Sequence, residues 1–153
     1  RAQPGRPGIM RVDPKHGKTS RTLFHEREAF RGHTLLECVP LTERPHQVRL
    51  HLRCARLSLV ADRVYGGPPL WLSDLKKRFL LKEGHQEKPL LERVALHAER
   101  LCLPHPVTGA ELRIEAPFPK DFAVALKYLR RYAAATHPAS SAVSPPETEK
   151  GSA

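Results

Sequence analysis

The sequence predicts one α+β domain dominated by antiparallel sheet, and three segments carry that prediction. TLFHERE and HTLLECVPL are strand-like runs separated by the turn signal Arg31-Gly32, which is the pattern of a hairpin. LCLPHPVTGAELRIEAP has the same form, with two apolar runs around Pro106 and the turn Thr108-Gly109. KDFAVALKYLRRYAA, after Pro119, sets Phe122, Leu126 and Leu129 on one stripe with Lys127, Arg130 and Arg131 off it, as in an amphipathic helix. The cations near its end also suit the helix dipole.

The other segments are read around these. Residues 1–20 are rich in Pro, Gly and basic side chains and are expected to be an irregular lead-in. PHQVRLHLRCAR is open between two readings. Val48, Leu50 and Leu52 alternate as in a strand, whereas Pro45 in a first turn, with Thr42 as a cap, would begin a helix. LSLVADRVYGGPP reads as a short extended run ending in a Gly-Pro loop. Ser73 is placed to cap a short helix, DLKKRFLL, with Leu75 and Phe79 on one face. Residues 133–153 lie in an Ala/Ser/Pro/Glu-rich stretch and are expected to be a disordered tail, which leaves 21–132 as the folded unit.

Composition narrows the function. A chain of 153 residues holds one domain with a real core. Its 26 Lys and Arg against 16 Asp and Glu leave +10, a surplus that attracts polyanions because neutralised phosphates release counterions. Cys38, Cys54 and Cys102 form no CxxC pair and no disulfide framework, which points to a reducing cytoplasm. Nine histidines occur without HExxH or zinc-ligand spacing, so no metal is expected. No signal peptide or membrane span is visible, and no membrane partner is expected. The first residue is Arg1 rather than methionine, from which a longer natural N-terminus is expected.

Three blocks in order carry a family resemblance. LTERPHQVRLHLRCARLSLVADRVYGG resembles the block that marks RluA-type RNA pseudouridine synthases, which reads roughly TGRxHQIRxHL, then a Gly-Asp pair, then LYG. The match runs through Thr42, Arg44, His46, Gln47, Arg49, His51 and Leu52, then Asp62, Tyr65 and Gly66. ERVALHAERLCLPHPVTG resembles the family's R-x-x-LHA-x-x-L-x-x-HP-x-TG, through Arg93, Leu96, His97, Ala98, Leu101, His105, Pro106, Thr108 and Gly109. APFPKDF is similar to the family's closing stretch before its last helix. The resemblance implies that 21–132 is the C-terminal half of a pseudouridine synthase catalytic domain. It further implies an α+β fold with a mixed, largely antiparallel sheet and flanking helices, an RNA cleft across one sheet face, a helix over residues 45–55, and isomerisation of uridine to pseudouridine in rRNA or tRNA without a cofactor.

The reaction breaks the N1 glycosidic bond, turns the base and rejoins it through C5, with an aspartate in a closed pocket around a flipped-out base. A carboxylate removed from water needs a cation, preferably the planar fork of an arginine. The resemblance places that arginine at Arg49, as partner of the nucleophilic aspartate. It makes Arg44, His46, Gln47, Tyr65 and Leu96 the RNA-binding candidates, with His46 and Gln47 also able to brace the loop. Read without it, Leu96 is as well explained as a core leucine, Tyr65 as an aromatic at a turn, and Lys76, Lys77 and Arg78 as a wet helix face.

The family's aspartate motif, close to HRLDxxTSG, does not occur in these residues. Met10-Arg11-Val12-Asp13 mimics its core, but Pro14-Lys15-His16 is not the expected continuation, and Asp13 is rejected as nucleophile. Glu43 and Ala61 stand where the family has glycine; Glu43 is expected to strain its turn or to bring a charge near RNA, and both replacements weigh against full activity. Two functions follow: part of an active synthase whose aspartate lies upstream, or an RNA-binding protein that kept the cleft and lost the chemistry.

Overall fold

A computed structural model describes residues 2, 3 and 5–135. The tail expected to be disordered lies outside the described residues from position 136 onward. The elements in order are strands β1 (Ala2–Gln3), β2 (Arg6–Met10), β3 (Thr22–Phe30) and β4 (His33–Pro40), helices α1 (Gln47–Cys54) and α2 (Leu72–Leu75), strands β5 (Arg100–Pro104) and β6 (Glu111–Glu115), and helix α3 (Lys120–Tyr132).

Among the described residues the architecture is α+β and every strand pair is antiparallel, but the strands do not form one mixed sheet. They make three separate two-stranded ladders, β1-β2, β3-β4 and β5-β6. The sequence signals were hairpin signals, which are local and say nothing about how hairpins pair with one another. Gly32 takes a φ of 76° in the β3-β4 turn, a value at which a β-carbon is disfavoured. The lead-in also differs from expectation, since Ala2–Gln3 and Arg6–Met10 pair as the β1-β2 hairpin.

The core gathers α3 onto the end of β3 and the chain around α2. Phe122, Ala125, Leu126 and Leu129 of α3 pack with Phe30, Leu70, Leu75, Leu91 and Ala133. This is the apolar stripe read from the sequence, extended by Ala125. A bridge between Phe30 and Ala134 and the bond from the Arg31 N–H to the Ala133 carbonyl (2.7 Å) fasten the helix end to the hairpin turn. Bidentate pairs Arg130–Glu28 and Arg93–Asp121 staple α3 to β3 and to the segment before β5. Exposed pairs of this kind contribute about 0–1 kcal/mol each.

Two short-range expectations fail. The helix expected over 74–81 is a single turn, Leu72–Leu75, with Trp71 and not Ser73 at its N-cap. The Ser73 N–H instead donates to Glu87 Oε1, and the chain leaves the helix through extended Lys76 and left-handed Arg78 (φ 58°). The stretch 57–69 forms no strand, and turns occupy 60–61 and 63–66 within it. Ala61 N–H reaches the Pro68 carbonyl (2.7 Å), and Gly67 N–H reaches the Asp62 carbonyl (2.7 Å). A β-carbon on Gly67 would overlap the Leu59 carbonyl oxygen deeply. Gly67→Ala is therefore expected to destabilise the fold by about 1–3 kcal/mol, the usual cost of overpacking, with a lower urea midpoint. A midpoint equal to wild type would mean that this turn is open in solution.

No helix among the described residues is long and apolar enough to cross a membrane.

Candidate functional site

The site is built around the entry to α1. His46, the residue before the helix, adopts a left-handed conformation (φ 56°, ψ 21°), so the chain swings sharply from Pro45 into Gln47. Pro45 thus lies outside the helix, and Thr42 does not cap its backbone. The Thr42 hydroxyl accepts the Arg21 N–H (2.9 Å) and donates to Gln47 Oε1 (2.8 Å). Gln47 Nε2 donates to the Arg21 carbonyl (2.8 Å) and to Thr22 Oγ1 (3.0 Å). Gln47 is buried, and both ends of its amide are spent on joining α1 to β3 and to the end of β4. Buried amides are stable only when satisfied in this way. His51, one turn on, adds bonds to Thr22 Oγ1 (2.8 Å) and Ser20 Oγ (2.9 Å).

The opposite side of α1 holds a buried ion pair. Arg49 Nε and Nη2 donate to the two oxygens of Asp62 at 2.8 and 2.7 Å. The Asp62 side chain is 1% exposed and that of Arg49 is 14% exposed. Asp62 also accepts the Tyr65 N–H (3.2 Å). The Arg49 guanidinium holds the Asp62 carboxyl below the usual carboxylate range against the opposing effect of burial, and the same bond raises Arg49. Tyr65 packs beneath, its ring centroid 4.7 Å from the Arg49 guanidinium carbon and 5.9 Å from that of Arg53. Its hydroxyl accepts the Met10 N–H (3.0 Å) and lies 2.7 Å from His46 Nδ1. The unit Asp62–Arg49–Tyr65–His46 thus links the turn, the helix and the bend that presents Arg44.

Among the described residues, no group of three or more His, Cys, Asp or Glu side chains is placed to hold a metal ion.

No family model matches the chain. It is 42% identical over 118 residues to the ribosomal large subunit pseudouridine synthase D of Xylella fastidiosa, covering 74% of this chain and 33% of that protein. The protein of the same name from Escherichia coli is 37% identical over 124 residues, covering 79% of this chain. That from Pseudomonas aeruginosa is 37% identical over 136 residues, covering 83%. The chain is related to the RluA-type pseudouridine synthases. It spans about a third of the length of the curated relatives it matches.

The RluA-type blocks come together in part. Arg44, His46, Gln47, Arg49 and Tyr65 all lie at α1 and its bend, but their exposures differ sharply. Gln47 and Tyr65 are buried with their polar atoms engaged inside the chain, so both act here as braces. Arg44 is exposed and His46 half-buried. Leu96 is 41% exposed and is not a core leucine. It follows Ala95, whose N–H bonds the Val60 carbonyl (2.9 Å), next to the Ala61–Asp62 turn. Arg49, expected to face a nucleophilic aspartate, has the side of its fork taken by Asp62. His97 Nε2 donates to the Ala116 carbonyl (3.0 Å), a structural role. Asp13 accepts the N–H groups of Lys15 (3.2 Å) and His16 (3.0 Å) and so shapes a turn.

The glycine replacements separate as well. Ala61 is left-handed (φ 58°), a conformation that costs an alanine about 1–2 kcal/mol, whereas Glu43 has no positive φ. Sequence reading noted Asp62 inside the matched block but missed it as a site residue. The family's Gly-Asp pair was the available signal. The contacts of Met10 and Ser20 with the site had no signal, because the lead-in looked irregular.

Proposed function

We propose that the chain is the RNA-facing part of a pseudouridine synthase that isomerises uridine in structured ribosomal RNA. The observation that carries this reading is a rigid, internally satisfied unit at α1 that leaves Arg44 exposed at its bend. It occurs in a chain 37–42% identical to synthases named for the large ribosomal subunit. Residues 21–132 would form part of the catalytic domain, in the cytoplasm, with the nucleophilic carboxylate supplied from outside these 153 residues.

Arg49 takes a different part from the one expected. Its charge is neutralised by Asp62, so it brings little net field to a second buried carboxylate. We assign it as a positioning residue that fixes Tyr65 and the His46 bend. Arg44 carries no carboxylate partner among the described residues and keeps its full planar fork. It is the guanidinium free to pair with the catalytic carboxylate as the base is drawn into the pocket. Leu96, exposed beside the same turn, offers an apolar face to the base.

The test is a site-by-site map of pseudouridine in large-subunit ribosomal RNA from cells with and without the gene. Loss at one or a few uridines, restored by the wild-type gene, is the result expected. An unchanged map would overturn the reading.

A further inference from the structure

Among the described residues, Arg21, Arg31, Arg78 and Arg131 carry no carboxylate partner and are scattered along the chain, and two further sets of arginines stand apart from them. Arg27, Arg93, Arg100, Arg113 and Arg130 each have a carboxylate partner within 4 Å, with Glu99, Asp121, Glu115, Glu115 and Glu28. The segment 44–65 holds five arginines and a single carboxylate, Asp62, which is buried and paired with Arg49. Its other arginines, Arg44, Arg53, Arg56 and Arg63, are exposed and have no carboxylate partner among the described residues.

Arg53, Arg56 and Arg63 are held around one buried unit. Arg53 lies over the same Tyr65 ring as Arg49, one helical turn further on. Arg56 follows α1 in a left-handed conformation (φ 59°) with its N–H on the Arg53 carbonyl (3.0 Å). Arg63 directly follows the buried Asp62. Unpaired guanidiniums on a rigid support cost self-repulsion in the free protein, and polyanion phosphates relieve it.

We propose that Arg53, Arg56 and Arg63 form a phosphate-binding rim that takes the sugar-phosphate backbone of RNA flanking the target uridine. The rim rests on the proposed function, since it supplies the substrate's anchorage beside the same unit. It reads charge and backbone spacing and not base identity.

The test measures binding of the protein to a structured fragment of large-subunit ribosomal RNA over a series of salt concentrations. The variants are the triple Arg53→Gln/Arg56→Gln/Arg63→Gln and a triple Arg→Lys at the same positions. A third, Lys88→Gln/Lys120→Gln/Lys127→Gln, removes three exposed cations elsewhere. Each phosphate contact contributes about 0.7–0.9 to the slope of log affinity against log salt, so the glutamine triple should lower that slope by about two to three. The lysine triple should keep the slope, and so should the remote control. A glutamine triple with the wild-type slope, or a remote control that falls as far, would overturn the rim while leaving the proposed function standing. Wild-type protein without salt-dependent RNA binding would overturn both. Phosphatidylserine vesicles in place of RNA give the last arm: binding there that needs the three arginines, with RNA binding independent of them, would overturn the assignment to RNA.

Discussion

Asp62→Asn is expected to cost the fold about 3–5 kcal/mol at neutral pH, because it leaves the Arg49 charge buried without its partner. The loss should depend on pH with a definite sign. The folded Asp62 carboxyl lies below its ordinary value, so its stabilisation is complete above the unfolded value of about 3.9 and is lost as pH falls through the folded one. The gap between wild type and variant should therefore be widest above about pH 5 and close in stronger acid. Glu28 and Asp121 are also lowered, by Arg130 and Arg93, but both are solvent-exposed pairs that titrate alike in the two proteins and cancel in the difference. Urea denaturation at a series of pH values measures the gap. A constant difference from neutral pH down to strong acid would mean that the pair is not formed in solution.

Arg44→Ala, in the complete protein, is expected to reduce single-turnover pseudouridine formation by about a hundredfold to a thousandfold. Losing a close charge partner in a dry pocket is worth a few kcal/mol, and each 1.4 kcal/mol or so is about tenfold in rate. Arg44→Lys keeps the charge but loses the planar fork and should fall between. Thermal stability should be unchanged in both, because the side chain is exposed and unpaired. RNA affinity should change little, since several cations share the phosphates. Wild-type turnover in Arg44→Ala would place the carboxylate's partner elsewhere.

Local order was largely legible and assembly was not. The β3-β4 and β5-β6 hairpins and α3 stand where turn residues and apolar period placed them. Among the described residues the hairpins do not join into one mixed sheet, because pairing between hairpins depends on edges and faces that no short pattern encodes. The segment 57–69 shows why the site itself was only half visible. Its apolar residues suggested a strand, but the buried Asp62 needs Arg49 and backbone donors, and satisfying it coils the chain into turns. That same long-range pairing, thirteen residues apart, is what supports the proposal of Arg49 as a brace and not a reacting partner. Motif position located α1, while only geometry told which arginine was already engaged.

The most direct test replaces the whole brace with apolar residues, Arg49→Met/Asp62→Leu, and compares it with Arg49→Met alone. A buried ion pair exchanged for packed hydrophobic side chains is often neutral, whereas half a pair costs about 3–5 kcal/mol. Melting temperature and single-turnover pseudouridine formation are measured on the complete protein for each. If Arg49 acts by position, Arg49→Met should melt well below wild type, and the double variant should recover both melting temperature and turnover to within about tenfold, one power of ten being about 1.4 kcal/mol. A double variant that melts like wild type yet has lost turnover by several powers of ten would contradict this, and would return Arg49 to the chemistry itself.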